Sequence, residues 1–518
     1  MKILDPNTAT AGSHSRASTA TFIGSDGLLQ TAGVDVPRLQ YNPLNLAEAP
    51  SYLFEAAATN LLIRSGQLDN AAWGKSNLTV SADLVINGLT VDKLVENTAV
   101  NVEHYTEQAL TSVAGTYTTV WRVVAGERTR GSVVVVHVGE ASATSEVAFD
   151  LVAKTIGLSG NRITATSITA LADGSIELKV IFSITAATTS FRQRLRMSSG
   201  TGAGVYTGDG TSGMHVVSVQ TETGAVATSY IPTTTAPVTR AADLSTAGVV
   251  ASSVLENDHP AYNPATNYAA LVRVVSASSI YESAQTPNTG NTPLTSPLFW
   301  TRISATNRMK MFDAEVSTLT TATSFISAVV APGLVDSLAV FAALGATLKV
   351  TGTDGLGGPV VYAKTIALDA STVGDWYEWT YQPFLPVTTI VLSDLPLYGS
   401  LHVSVTISGV GAVAMGLLAF GRIEAVGNTQ HGLSVDVRES KRTNTAVKYL
   451  TTRLEGPQTD FDRVVRLIEK LRSKTIVLVS TDVPGYESLN IFGKVQSWSV
   501  AAAGPNHYES DLTFEGSL

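Results

Sequence analysis

The sequence contains no cysteine, which excludes disulfides, thiolate zinc sites, iron–sulfur clusters and a cysteine nucleophile. It is also poor in charge: 34 Lys and Arg with 43 Asp and Glu make only 15% of the 518 residues, against about 25% in ordinary soluble proteins. That composition argues against a helical bundle or coiled coil, which is built on Glu, Lys, Leu and Arg. No long basic run offsets the net charge of −9, so nucleic-acid binding has no electrostatic footprint. Long apolar runs are missing as well. The best stretch, residues 407–421, is short, broken by glycine and followed by Arg422 and Glu424, whereas membrane insertion needs about 20 apolar residues. The opening residues 1–6 lack the apolar centre of a signal peptide.

Catalytic signatures are absent in the same way. The eight histidines are scattered, with no His-Glu-x-x-His pattern, and neither a Gly-x-Ser-x-Gly elbow nor a Walker loop occurs. The sequence therefore predicts no enzyme, no catalytic metal and no cofactor. Structural calcium held by Asp209 is the one ion considered, and a single carboxylate is a small part of the about six to eight oxygens that calcium takes.

Thr, Ser, Asn and Gly supply the polar share, and Val and Ala much of the apolar share. This mix suits half-buried strands joined by tight turns. Strand patterns run over residues 116–124, 131–138, 149–156, 162–171, 175–182 and 215–221, with Asp173-Gly174 as a hairpin turn. A second series covers 268–275, 346–350, 360–366, 376–381, 388–392 and 401–407. Near the end the period changes: Phe461, Val464, Val465, Ile468 and Leu471 fall on one face of a helix over 460–472, followed by strands at 476–480, 489–499 and 508–514. The fold class expected is mainly β, with two jelly-roll-like β-sandwich domains and a small C-terminal α+β domain. The divisions are an N-terminal arm at 1–15, a first sandwich at 16–243, a linker at 244–262, a second sandwich at 263–428 and the α+β domain at 429–518.

Three stretches resemble modules of tailed-bacteriophage tail and fibre proteins. The first opens with Arg16-Ala17-Ser18-Thr19-Ala20-Thr21, Ser25-Asp26-Gly27, Pro37-Arg38-Leu39-Gln40-Tyr41 and Thr59-Asn60-Leu61-Leu62. It closes with Tyr206-Thr207-Gly208-Asp209-Gly210, Thr228-Ser229-Tyr230-Ile231-Pro232-Thr233 and Arg240-Ala241-Ala242-Asp243. Where such modules carry Trp-Gly-x-Gln-Leu-Glu, this chain reads Val217-Ser218-Val219-Gln220-Thr221-Glu222, without the tryptophan and leucine. The second stretch is marked by Thr306-Asn307-Arg308, Met311-Phe312-Asp313 and Asp394-Leu395-Pro396, and the third by Tyr486-Glu487-Ser488-Leu489-Asn490-Ile491-Phe492-Gly493 with residues 512–518. The resemblance implies a structural virion protein with carbohydrate-binding-like sandwiches, made in the host cytoplasm and located in the tail. Its implied partners are other tail proteins, further copies of itself (a homo-oligomer, three by family likeness) and host surface polysaccharide. Alternatives are a neck, collar or capsid decoration protein, and a glycan-degrading tailspike, although tailspikes of that kind usually carry a long repeated β-helix and no fixed-period repeat is present here.

Residues Arg38, Asn60, Arg240 and Asp243 are expected to close the first module, with an Arg–Asp pair fixing the register of its first and last strands. Asn307, Arg308 and Asp313 are expected to hold loops in the second block. Read as a strand, residues 376–381 place Tyr377, Trp379 and Tyr381 on one face. The commoner role of such a stripe is core; the functional one is a sugar platform or a subunit contact. Trp73 and Trp121 are expected in the core.

Overall fold

The computed structural model describes residues 1–7, 12–86, 88–111, 113–140, 144–157, 160–200, 204–371, 375–381, 385–429, 434–439, 446–471, 474–481 and 485–516. The protein is mainly β and divides into two units, Ser15–Leu244, and Met1–His14 with Ser245–Leu518. Among the described residues no helix is long and apolar enough to cross a membrane.

The unit Ser15–Leu244 is a β-sandwich of two antiparallel six-stranded sheets. One sheet runs in the order Ile163–Ala170, Ile176–Ile184, Gly115–Val124, Gly213–Thr223, Leu89–Glu96, Leu78–Ile86. The other runs Thr155–Ile156, Thr144–Asp150, Arg130–Val138, Ser190–Ser198, Tyr105–Thr111, Gly74–Ser76. Strict alternation decides which side chains enter the core. In Ile176–Ile184 the residues Ile176, Leu178, Val180, Phe182 and Ile184 are buried while those between them are not. They pack with Trp73, Trp121, Phe191, Leu195 and Met197, and the Trp73 and Trp121 rings meet edge-on at 5.8 Å. At the Asp173-Gly174 turn, Gly174 has φ +85°, a left-handed conformation that glycine adopts without steric cost. The stretch read as one strand over 149–156 is two short strands, because Asp150 accepts the amides of Val152 and Ala153 at 2.9 and 3.0 Å and turns the chain.

In the other unit, a five-stranded sheet lies in the order Gly248–Ser252, Thr320–Ala331, Leu401–Met415, Thr347–Asp354, Val360–Ala367. Its buried face shares one core with Leu338, Val340, Leu418 and Phe420 of a ten-stranded sheet. That larger sheet runs Thr389–Leu392, Ser337–Phe341, Leu417–Ala425, Lys2–Asn7, Thr475–Val479, Ile491–Ala502, His507–Gly516, Ala446–Pro457, Asn428–Thr429, with Ser434–Glu439 also on Ala446–Pro457. The helix Phe461–Leu471 covers its far part, burying Val464, Leu467 and Leu471. Leu467 and Leu471 join Ile3, Leu478, Leu512 and Phe514. A three-stranded sheet of Arg273–Ser276, Ser279–Ser283 and Trp300–Ala305 packs a satellite cluster of Tyr268, Val274, Tyr281 and Trp300.

Three expectations are corrected here. Residues 1–15 are not a free arm: Lys2–Asn7 lies inside the ten-stranded sheet, paired with Leu417–Ala425 on one side and Thr475–Val479 on the other. Ile3 and Leu4 are buried on opposite faces of it. Residues 244–262 are not only a linker, since Gly248–Ser252 pairs with Thr320–Ala331. The stretch 376–381 is a turn of helix rather than a strand. Its first turn is set by Asp375, whose carboxylate accepts the Glu378 amide at 2.8 Å, and Asp-x-x-Glu is the pattern of a helix start.

Candidate functional site

Two groups of side chains stand out, one buried and one exposed. The buried group lies where the ends of the first sandwich meet. Arg16, Arg38 and Arg240 rank among the largest fully buried side chains, and charges removed from water need partners. Asp243 supplies them by dividing its carboxylate. Oδ1 accepts Arg16 Nη1 at 3.0 Å and Oδ2 accepts Arg38 Nη2 at 2.8 Å. Oδ2 also takes the Glu55 amide at 2.8 Å. Glu55 Oε2 accepts Arg38 Nη1 at 2.8 Å and Arg240 Nη1 at 2.6 Å, and the hydroxyl of Ser229 at 2.7 Å. Further Nη hydrogens go to backbone carbonyls, Arg16 to Gly33 and Val36, Arg38 to Thr21 and Arg240 to Ala56, while the Nε of Arg38 and of Arg240 is buried with no hydrogen-bond partner among the described residues. Burial pulls the Arg240 guanidinium below its usual value, and Glu55 opposes the shift.

Asn60 does the same work with an uncharged amide. Its oxygen accepts the Leu62 and Thr221 amides at 3.2 Å each, and its nitrogen donates to the Ile231 carbonyl at 2.9 Å. The structure thus brings Arg38, Asn60, Arg240 and Asp243 into the closure of one module. An Arg–Asp pair does join the two ends, Arg38 with Asp243, but it is not bidentate: Asp243 divides its oxygens between Arg38 and Arg16, and Arg240 pairs with Glu55. Arg16 and Glu55 were not singled out as closing residues from the sequence, and the only signal for Arg16 was its place at the head of the first motif.

In the second block, Asn307 bridges to the strand Thr320–Ala331 by donating to the Thr321 carbonyl and accepting its amide, both at 2.9 Å. Asp313 accepts the Thr318 hydroxyl at 2.7 Å and the Glu315 amide at 3.0 Å, and burial raises its carboxyl above the ordinary value. Arg308 has a buried Nε with no hydrogen-bond partner among the described residues. Asp209 spends its carboxylate on Ser212 and Thr211, which hold it below the usual carboxylate range. Among the described residues no group of three or more His, Cys, Asp or Glu is placed to hold a metal ion.

The exposed group is the helical turn Trp376–Tyr381. Tyr377 and Tyr381, four residues apart, share a face with ring centroids 4.9 Å apart and a tilt of 40°. Trp376, Tyr377 and Tyr381 are 75%, 71% and 69% exposed, so the reading as a core stripe is overturned for Tyr377 and Tyr381. The side chain of Trp379 lies outside the described residues. The arrangement can stack apolar ring faces on a ligand; it offers no acid–base pair of its own.

No protein-family model matches the chain, and no curated protein matches it. Among solved structures, it is similar to the N-terminal CBM22-1–CBM22-2 tandem domain of Xyn10C from Paenibacillus barcinonensis, at 9% identity and a TM-score of 0.21, over 72% of this chain and 99% of that one. A likeness at that level has no bearing on what this chain binds.

Proposed function

We propose that the chain is a non-enzymatic structural component of a bacteriophage virion, a tail-fibre or tail-tip protein that takes part in assembly and attaches the particle to host-surface polysaccharide. The observation that carries the attachment is the exposed aromatic turn. Large aromatic rings exposed to water are a cost unless something uses them, and the paired ring faces of Tyr377 and Tyr381 suit the C–H faces of sugars. A single site of this kind binds weakly, and a homo-oligomer of three copies multiplies it by avidity. Residues Tyr377 and Tyr381 carry the contact, with Trp379 beside them in sequence.

Replacing Tyr377 and Tyr381 together with Ala is expected to lower retention of the protein on polysaccharide from the host surface at least tenfold while leaving the melting temperature within about 1 °C, as for an exposed site. Undiminished retention by the double variant contradicts the reading. A second reading is a neck, collar or decoration protein that only docks to its neighbours. It is favoured by the strand Ser434–Glu439, which among the described residues pairs on one side only and leaves Val435 and Val437 exposed, an edge that a neighbouring chain could extend.

A further inference from the structure

Away from the aromatic turn, the unit Ser15–Leu244 carries a groove of about 350 Å³, at the small end of the range for small-molecule sites. Its floor is the outer face of three adjacent strands. Register sets Arg122 opposite Glu177 and Val120 opposite Lys179 on one side, and Arg122 opposite Ser218 on the other. Its walls are apolar, from Phe22, Leu29, Pro43, Leu53 and Tyr230.

Most polar groups of the groove are already engaged. Arg122 donates to Ser175 at 2.8 Å and pairs with Asp173. Gln220 bonds Glu222 and the Ile231 amide, and Glu55 belongs to the closing network. Glu177 and Lys179 are different: both are half-buried on the floor, and neither side chain makes a hydrogen bond or ion pair among the described residues. Burial raises the Glu177 carboxyl, opposed by the charges of Lys179 and Arg122. A half-buried carboxylate with no hydrogen-bond donor is costly, and an ammonium two residues along the same strand face is an unused donor.

We propose that this groove is a saccharide-binding site, independent of the aromatic turn, in which Glu177 accepts and Lys179 donates hydrogen bonds to neighbouring hydroxyls of an uncharged sugar. Three features select that ligand. The two free groups cancel in charge, so neither an anionic nor a cationic ligand is favoured. Acceptor and donor side by side match a vicinal diol, whose hydroxyls both give and take hydrogen bonds. Apolar walls beside a polar floor match a pyranose, with C–H faces and hydroxyl edges. A peptide strand would need an open sheet edge to pair with, and the floor is the middle of a sheet.

The test uses the full-length chain on an array of neutral and acidic mono- to tetrasaccharides, followed by calorimetric titration with the best-held neutral sugar. Glu177→Ala and Lys179→Ala are each expected to lower affinity at least tenfold with an unchanged melting temperature, and Tyr377→Ala with Tyr381→Ala should leave this binding intact. The proposal is overturned if the chain retains no neutral saccharide, if it retains only acidic ones, or if neutral binding by the Tyr377→Ala, Tyr381→Ala double variant survives both groove substitutions. Loss of binding in the tyrosine variants alone would overturn the groove while leaving the aromatic turn as the attachment site.

Discussion

Asp243 joins two buried guanidiniums to the chain end of the first sandwich, and its loss would leave Arg16 without its carboxylate and Arg38 with Glu55 alone. Removing one partner of a buried ion pair costs about 3–5 kcal/mol. Asp243→Ala is therefore expected to lower the melting temperature by many degrees and Thr239→Ala, on an exposed hydroxyl pair with Thr59, by little; equal small shifts in calorimetry would mean that the network does not close the module. A second residue sets a pH dependence. His137 is fully buried, and burial, with the charge of Arg162 second, pushes it down to about 4. In the unfolded chain a histidine titrates near 6.5, so between those values the unfolded state binds the extra proton. The stabilising effect is complete above about pH 6.5 and is lost as pH falls toward about 4, by up to about 3 kcal/mol. Denaturant midpoints at pH 7.5 and 4.5 should differ less in His137→Gln than in the natural chain. At this scale the closing residues were legible because charged side chains stood in a motif. Glu177 and Lys179 were not, since on a strand they look like any polar face and their lack of partners is a property of the folded groove.

Among the elements, the strand Lys2–Asn7 does most to define its unit. Leu4 is fully buried, and Gly421, opposite Pro6 on the adjacent strand, has no room for a side chain: a Cβ there would stand 2.3 Å from the Asp5 carbonyl. Deleting residues 1–7 is expected to destabilise the unit cooperatively, and Leu4→Ala alone by about 2–5 kcal/mol. Gly421→Val should act in the same direction by pushing the strand out, which limited proteolysis near the N-terminus would report. A truncated protein with an unchanged melting temperature contradicts this role. The sequence hides the strand for physical reasons. It is six residues long, Pro6 interrupts it, and its partners lie more than 400 positions away along the chain. Pro6 is tolerated because pairing with Thr475–Val479 ends at Leu4, so the missing N–H falls where only one neighbour remains. The aromatic turn departs from the strand expectation for a nearer reason: the aromatic alternation in Trp376–Tyr381 imitates a strand face, while the Asp375–Glu378 helix start decides the local backbone. By contrast, the long strands of the first sandwich and the helix Phe461–Leu471 follow directly from their periodicity, although the helix buries Leu467 where the expected face had Val465 and Ile468.

For the whole molecule, mainly-β architecture was readable from low charge, absent cysteine and short β-branched runs between turns. The partition was less so, because the second sandwich and the C-terminal region share one ten-stranded sheet, and sheet continuity leaves no trace in local composition. The proposed homo-oligomer predicts a particle of three copies of the 54.3 kDa chain in light scattering at micromolar concentration; a monomer at that concentration removes the avidity on which weak sugar contacts depend. The central claim is the chain's place in a virion tail, working at the host surface. Immunogold labelling of intact phage particles with antibody to this chain tests it most directly. The account predicts gold at the distal end of the tail, and label at the neck or head, or no label on particles, would contradict it.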